Sequence, residues 1–110
     1  MLLVLIESPF AGDEERNLRY ARAAMRDCLL RGEAPFASHL LYTQPGVLDD
    51  AVRTERDLGI QAGLTWGAQA AKTVVYTDFG ISSGMEFGIA RARDEGRPVE
   101  YRQIEQIAQV

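Results

Sequence analysis

Cysteine, lysine and histidine each occur once in this chain of 110 residues, as Cys28, Lys72 and His39. A single thiol excludes an intrachain disulfide and any cysteine-based metal cluster. It suits a reducing compartment, so a cytoplasmic location is expected. Cys28 falls inside an apolar helical pattern and reads as a packed small hydrophobe. Positive charge is scarce as well: twelve Lys and Arg against sixteen Asp and Glu leave a formal net charge of -4. With no basic excess to displace counterions, a nucleic-acid backbone is not an expected partner. A long apolar run is also lacking. The opening "MLLVLIES" is apolar for only about six residues and has no positive n-region or cleavage site, so it reads as a buried strand rather than a membrane span or signal peptide. There is no internal repeat, low-complexity segment or Gly/Ser linker. Hydrophobic residues make up 46% of the chain, enough for one core, and the length is too short for two ordinary domains. One domain over residues 1–110 is expected.

What is present alternates. Leu2 to Ile6 form a continuous, partly β-branched apolar run, as in a strand buried on both faces of a parallel sheet. In "AGDEERNLRYARAAMRDCLLRGEAP", Asp13 can cap a helix and Glu14 and Glu15 suit its positive end. Leu18, Ala21, Met25, Cys28 and Leu29 repeat at helical spacing, and Gly32 ends the pattern. "APFASHLLYT" reads as extended and "QPGVLDD" as a loop. Residues 50–71 read as a helix carrying Gly59, Gly63 and Gly67, which cost about 1 kcal/mol each against alanine and so imply close packing against a neighbouring helix. "KTVVYTD" is a strand, "SSGMEFGIARARDEG" a capped helix, "RPVEYR" a short strand, and "QIEQIAQV" a terminal amphipathic piece. This order predicts an α/β fold, a flavodoxin- or Rossmann-like three-layer sandwich with a parallel sheet of about four to five strands and right-handed crossovers.

In such a sheet the ligand crevice lies beyond the carboxyl ends of the strands, near the point where strand order reverses. Three segments reach it: Glu7, Ser8, Pro9 and Phe10 at the end of the first strand; His39 to Gln44 after the second; Asp78 to Glu86 after the third. The aromatics Phe10, Tyr42 and Phe79 could stack on a flat ring. Backbone N–H groups at Ser83, Gly84 and Met85 would be unpaired at a helix start, with Ser82 or Ser83 capping it and facing a ligand. Glu86 in the same turn has two readings. It is either a ligand-contacting carboxylate or the closing half of a Ser-x-x-Glu capping box from Ser83. His39 has no second imidazole or thiol nearby, so no metal site is expected. It could orient Glu86, bond a base or phosphate, or be structural. Arg16 and Asn17 could reach a phosphate from the start of the first helix. Trp66, between two glycines, reads as packing or an oligomer contact.

"ESPFAGD", "DFGISSGMEFGIARA" and "GRPV" resemble, in order and over nearly the whole chain, motifs of the nucleoside 2-deoxyribosyltransferase superfamily, and especially its short phage and bacterial DUF4406-like branch. The most specific part is the helix opening of small residues, then Glu, a bulky residue and Gly. The resemblance implies that Glu86 is a nucleophile at C1′ of a sugar and forms a covalent glycosyl-enzyme, which water or a second base then resolves with net retention. It implies an acid for the departing base, for which Asp78 is the candidate. A second carboxylate in a partly dry crevice would raise the pKa of one of the pair. It also implies that Ser8 lines the sugar or phosphate region, with Gly80 and Gly84 in the same loops, and that Ser82 and Ser83 serve a 5′-phosphate. Two departures stand out. Leu5 occupies the position where many transferases carry a tyrosine that orients the nucleophile, and their C-terminal asparagine has no counterpart in "YRQIEQIAQV".

The expected function is therefore binding of a small nucleoside or nucleotide, with cleavage or exchange of its N-glycosidic bond, no cofactor, and a homodimer or higher homo-oligomer as the working form. The alternatives are a non-catalytic nucleotide binder, for example a phage protein that sequesters a nucleotide signal, and a structural protein with a vestigial crevice.

Overall fold

A computed structural model describes residues 1–104, and the last six residues, with most of the expected terminal amphipathic piece, lie outside that description. Eight elements follow one another: β1 (Leu2–Glu7), α1 (Glu14–Leu30), β2 (Glu33–Phe36), α2 (Ser38–Leu41), α3 (Arg53–Gly67), β3 (Lys72–Tyr76), α4 (Ser83–Asp94) and β4 (Val99–Arg102). The four strands form one sheet in the order β2-β1-β3-β4, every neighbouring pair parallel. The chain leaves β1 toward β2 on one side and returns to β3 on the other, so the strand order reverses between β1 and β3. Their carboxyl ends frame the crevice.

Period-2 alternation sorts the strand residues between two helical layers. Val4 and Ile6 of β1 join Val74 and Tyr76 of β3 against Tyr20, Ala24 and Cys28 of α1. On the opposite face Val75 packs with Met85 and Ile89 of α4, and Leu5 meets α3. The glycines of α3 admit close neighbours: a Cβ on Gly63 would sit 2.7 Å from Ser38 Cβ, and one on Gly67 2.7 Å from Leu5 Cδ2. The first of these approaches is helix to helix, as expected. The second is helix to strand.

Two readings change. "APFASHLLYT" is only briefly extended. β2 stops at Phe36, and Ala37 opens the short helix α2, its carbonyl accepting from the Leu40 and Leu41 amides. Pro35 lies within β2, which pairs with β1 alone, so its missing N–H costs no ladder bond in this edge strand. His39 therefore rides on a helix rather than a strand end. The third helix starts at Arg53 rather than Asp50, because a turn built on Asp49 takes up the Ala51 and Val52 amides first.

The α1 face of the sheet also holds an ion network. Arg102 donates to both oxygens of Glu33, at 2.7 and 2.6 Å, and its Nε reaches Glu100. Lys72 Nζ lies 2.9 Å from Glu33 and 3.1 Å from Glu100. Arg102 and Glu33 are both buried. Their bidentate geometry is the strong form of such a pair.

Candidate active site

The loop after β1 is fixed by α1. Asp13 caps the helix through the Arg16 amide at 3.1 Å, and buried Asn17 donates its side-chain amide to the carbonyls of Phe10 at 2.9 Å and Ala11 at 3.2 Å. Ser8 and Pro9 are buried at the base of this loop. Ser8 Oγ lies 2.9 Å from His39 Nε2, and the Phe10 ring sits 5.9 Å from the imidazole. Burial pushes the His39 imidazole down to about 4, so at neutral pH it is uncharged, one ring nitrogen donating and the other accepting. Beyond Phe10 opens a cavity of about 640 Å³, rimmed by four carboxylates, Glu14, Asp49, Asp50 and Glu55. A smaller recess of about 60 Å³ adjoins it, lined in part by His39 and Tyr42. The β1 and β2 ends thus bring Ser8, Pro9, Phe10, His39 and Tyr42 into one neighbourhood.

The loop after β3 is held by α1 as well. Asp78 accepts from the Tyr20 hydroxyl and from the Ile104 amide, at 3.0 and 3.1 Å to its two oxygens, and its own amide donates to Tyr20 Oη at 2.9 Å. Burial and this contact push the Tyr20 phenol upward. Asp78 therefore latches the loop to α1 and to the end of β4. Phe79 packs edge-on against Tyr20 with ring centroids 4.7 Å apart, and the Arg16 guanidinium stands over it at 4.0 Å. Arg16 also donates Nε and Nη2 to Asn17 Oδ1, at 3.2 and 3.0 Å. Gly80 turns the chain at φ 82°, where a Cβ would be strained.

At the start of α4 the cap is Ser82, whose hydroxyl accepts from the Met85 amide at 3.3 Å, while its own amide meets the Met85 sulfur at 3.4 Å. Met85 occupies the position that glutamate would take in a capping box from this serine. Two expectations are corrected here: the Met85 amide is not free, and no Ser83–Glu86 box forms. The register explains both, because the cap falls one residue earlier and Glu86 sits one residue past the reciprocal position. The Glu86 side chain is exposed, with no hydrogen-bond partner among the described residues, beside exposed Ser83 and Gly84. It lines neither cavity above. The helix dipole favours a negative charge at this end.

One carboxylate of the crevice is absent from the expected site. Glu7 ends β1 on the Leu5 face of the sheet, in register with Val75, and its carboxyl fills the space left by Gly88 of α4. A Cβ on Gly88 would lie 2.1 Å from Glu7 Oε2. Burial pushes Glu7 up to about 8, against the pull of Arg97. The available signal was a Glu closing an apolar strand, two residues after Leu5, in a chain with a glycine just after Glu86. Among the described residues no cluster of three or more His, Cys, Asp or Glu side chains could hold a metal ion, and no helix is long and apolar enough to cross a membrane.

The fold is shared with a 2-deoxyribosyltransferase from the psychrotolerant bacterium Bacillus psychrosaccharolyticus, at a TM-score of 0.64 and 16% identity, covering 92% of this chain and 72% of that one. At that identity the likeness concerns the fold. No curated protein matches in sequence. The family model that does match is not that of the DUF4406 branch: it spans residues 2–102, and the chain belongs to its family, DUF7768, a domain of unknown function.

Proposed function

We propose that this protein binds a nucleoside or nucleotide across the ends of β1 and β3 and cleaves or exchanges its N-glycosidic bond, with Glu86 as nucleophile. The observation that carries the reading is the placement of Glu86. Its carboxylate stands free of its own helix's amides, in the first turn of the helix that follows the topological switch point, in a fold shared with a 2-deoxyribosyltransferase. Glu86 attacks C1′ as the bond to the base nitrogen breaks. Water or a second base then attacks C1′ and frees the carboxylate. Asp78 belongs to the catalytic loop as the group that sets its position, its oxygens already accepting from Tyr20 and Ile104.

Ser8, Pro9, Phe10, His39 and Tyr42 supply the other wall. The carboxylates around the larger cavity accept hydrogen bonds from exocyclic amino groups and repel phosphate, so the base end of the ligand fits there. A 5′-phosphate is assigned to Ser82, Ser83 and Gly84 instead, at the start of α4, where a helix leaves its first amides without intrahelical partners. The working form is a homo-oligomer in the cytoplasm. Trp66, 59% exposed although it stacks on Phe36, supports a subunit contact.

The test is release of free base from deoxynucleosides and their 5′-monophosphates, followed by chromatography. Wild type is expected to release base, and Glu86→Gln to lose at least about 10³-fold in rate while still binding. Binding without release by wild type would favour the second reading, a nucleotide-sequestering protein. One observation favours that reading: the tyrosine position of the transferases is filled here by Leu5, 4% exposed in the core.

A further inference from the structure

We infer that the pocket beyond Phe10 selects nucleobases that carry an exocyclic amino group, adenine and cytosine, over their oxo counterparts hypoxanthine and uracil, and that Asp50 reads the amino group. This inference rests on the nucleoside-binding reading above and names the substrate class of that site.

The geometry starts from the wall that two cavities share. The cavity of about 640 Å³ and the recess of about 60 Å³ have Thr43, Leu48, Asp50 and Glu55 in common, so they are two depths of one depression. The larger has the size of a small-molecule pocket. The recess has the room of a few water molecules, which suits the edge of a planar ring and not a sugar or a phosphate. Of the rim carboxylates, Glu14 and Asp49 are exposed, whereas Asp50 and Glu55 are half-buried and stand where recess and cavity meet. Backbone amides already occupy part of this set: Asp49 Oδ1 accepts from Ala51 at 3.0 Å, and Glu55 Oε1 accepts from Asp49 at 3.1 Å. Asp50 accepts from no described residue, so both of its oxygens are available to a donor on the ligand.

A second feature belongs to the same recess. The His39 ring spends Nε2 on Ser8 Oγ at 2.9 Å, and its Nδ1 has no partner among the described residues. Every fully sealed side-chain nitrogen or oxygen among them has one, so Nδ1 is not sealed, and the cavity that His39 borders is the recess. The imidazole is uncharged at neutral pH, its pKa pushed down to about 4 by burial. Nδ1 therefore donates or accepts according to tautomer, and the Ser8 hydroxyl takes the complementary role at Nε2.

Adenine and cytosine present an amino group that donates beside a ring nitrogen that accepts. A carboxylate and an imidazole N–H match that edge. Hypoxanthine and uracil reverse it, with a carbonyl oxygen beside a ring N–H. His39 follows the reversal by changing tautomer, but a carboxylate only accepts and is then set against the carbonyl oxygen. Discrimination thus falls to Asp50. Arg56 also borders the recess, but it is exposed, and water weakens its pull on a carbonyl.

The experiment is calorimetric binding of deoxyadenosine, deoxyinosine, deoxycytidine and deoxyuridine to wild type, Asp50→Asn and Glu14→Gln, with folding checked by circular dichroism. Wild type should bind the amino member of each pair at least about tenfold more tightly, the size of one mismatched hydrogen bond to a charged group. Asp50→Asn keeps the shape of the side chain and can turn either its oxygen or its amide nitrogen toward the edge, so the ratio should fall toward one. Glu14→Gln removes the same charge from the exposed rim and should leave the ratio as it is. Equal or reversed affinities within each pair in wild type would overturn this inference and leave the glycosidic reading standing, as would a ratio that a folded Asp50→Asn preserves. Wild type that neither binds these nucleosides or their 5′-monophosphates nor releases base from them would overturn both.

Discussion

Glu33 opens β2 and Glu7 closes β1, on strands that run side by side, and the two carboxyls are treated in opposite ways. Glu33, on the α1 face, receives two hydrogen bonds from Arg102 and an ion pair from Lys72, and these hold it down at about 2. Glu7, on the α3 and α4 face, is desolvated under Gly88 without a hydrogen bond from any described residue, and it rises to about 8. The first is a buried charge whose partners are all supplied by the fold. The second is a half-buried acid with no such partner among the described residues. Glu33 lies at the amino end of its strand, away from the crevice, and Glu7 at the carboxyl end of its own. The difference separates a carboxylate that ties the sheet together from one that packing confines without a hydrogen-bond donor among the described residues.

The comparison breaks most severely at Arg102. Arg102→Met removes the bidentate partner and leaves Glu33 buried with Lys72 alone, which should cost about 3–5 kcal/mol of stability in urea denaturation. A loss below about 1 kcal/mol would mean that the network is solvated and that Glu33 resembles a surface carboxylate.

The next effect is pH-dependent. The folded state holds the Glu7 proton up to about 8, whereas the unfolded chain releases it near the ordinary 4.5. Between those values the folded state binds more protons, so stability falls as pH rises, with a slope of up to about 1.4 kcal/mol per pH unit from this group, and levels off above 8. Glu33 has the reverse sign: its contribution is present above the unfolded value and is lost as pH falls toward 2. Urea melts from pH 5 to 9 should therefore decline for wild type and be flatter for Glu7→Gln. Parallel curves would mean that Glu7 is ionised in the native state.

Much of this architecture was legible because it rests on short-range patterns. "LLVLI" and "KTVVY" are apolar without interruption, as strands flanked by two helical layers must be. Asp13 caps its helix through contacts three residues away. β2 was harder, since an edge strand of four residues containing Pro35 presents almost no alternation, and α2 follows it with a single residue between. The cap of α4 stays open in the sequence between Ser82 and Ser83 because the two serines adjoin, and the choice turns on Met85 being the residue that the sheet buries. Asp78 was recognisable as a crevice residue, but its latch to Tyr20 spans 58 positions. Glu7 was least visible. A glutamate after an apolar run looks like the end of a strand until Gly88, eighty-one residues later, is known to lie over it.

The smallest effect tests that socket directly. Gly88→Ala places a methyl 2.1 Å from the Glu7 carboxyl, so either the side chain or α4 must move. Overpacking of this kind costs about 1–3 kcal/mol. Alanine is the better helix former by about 1 kcal/mol, which offsets part of that loss. A double-mutant cycle with Glu7→Ala separates the two contributions. With the carboxyl gone the methyl has room, the helix preference alone remains, and Gly88→Ala becomes stabilising in the Glu7→Ala background. A coupling of more than about 1 kcal/mol between positions 7 and 88 is expected, well above the few tenths seen for independent sites. Additive effects would show that the glycine does not shape a pocket for the acid, and Glu7 would then lose the confinement that distinguishes it from Glu33.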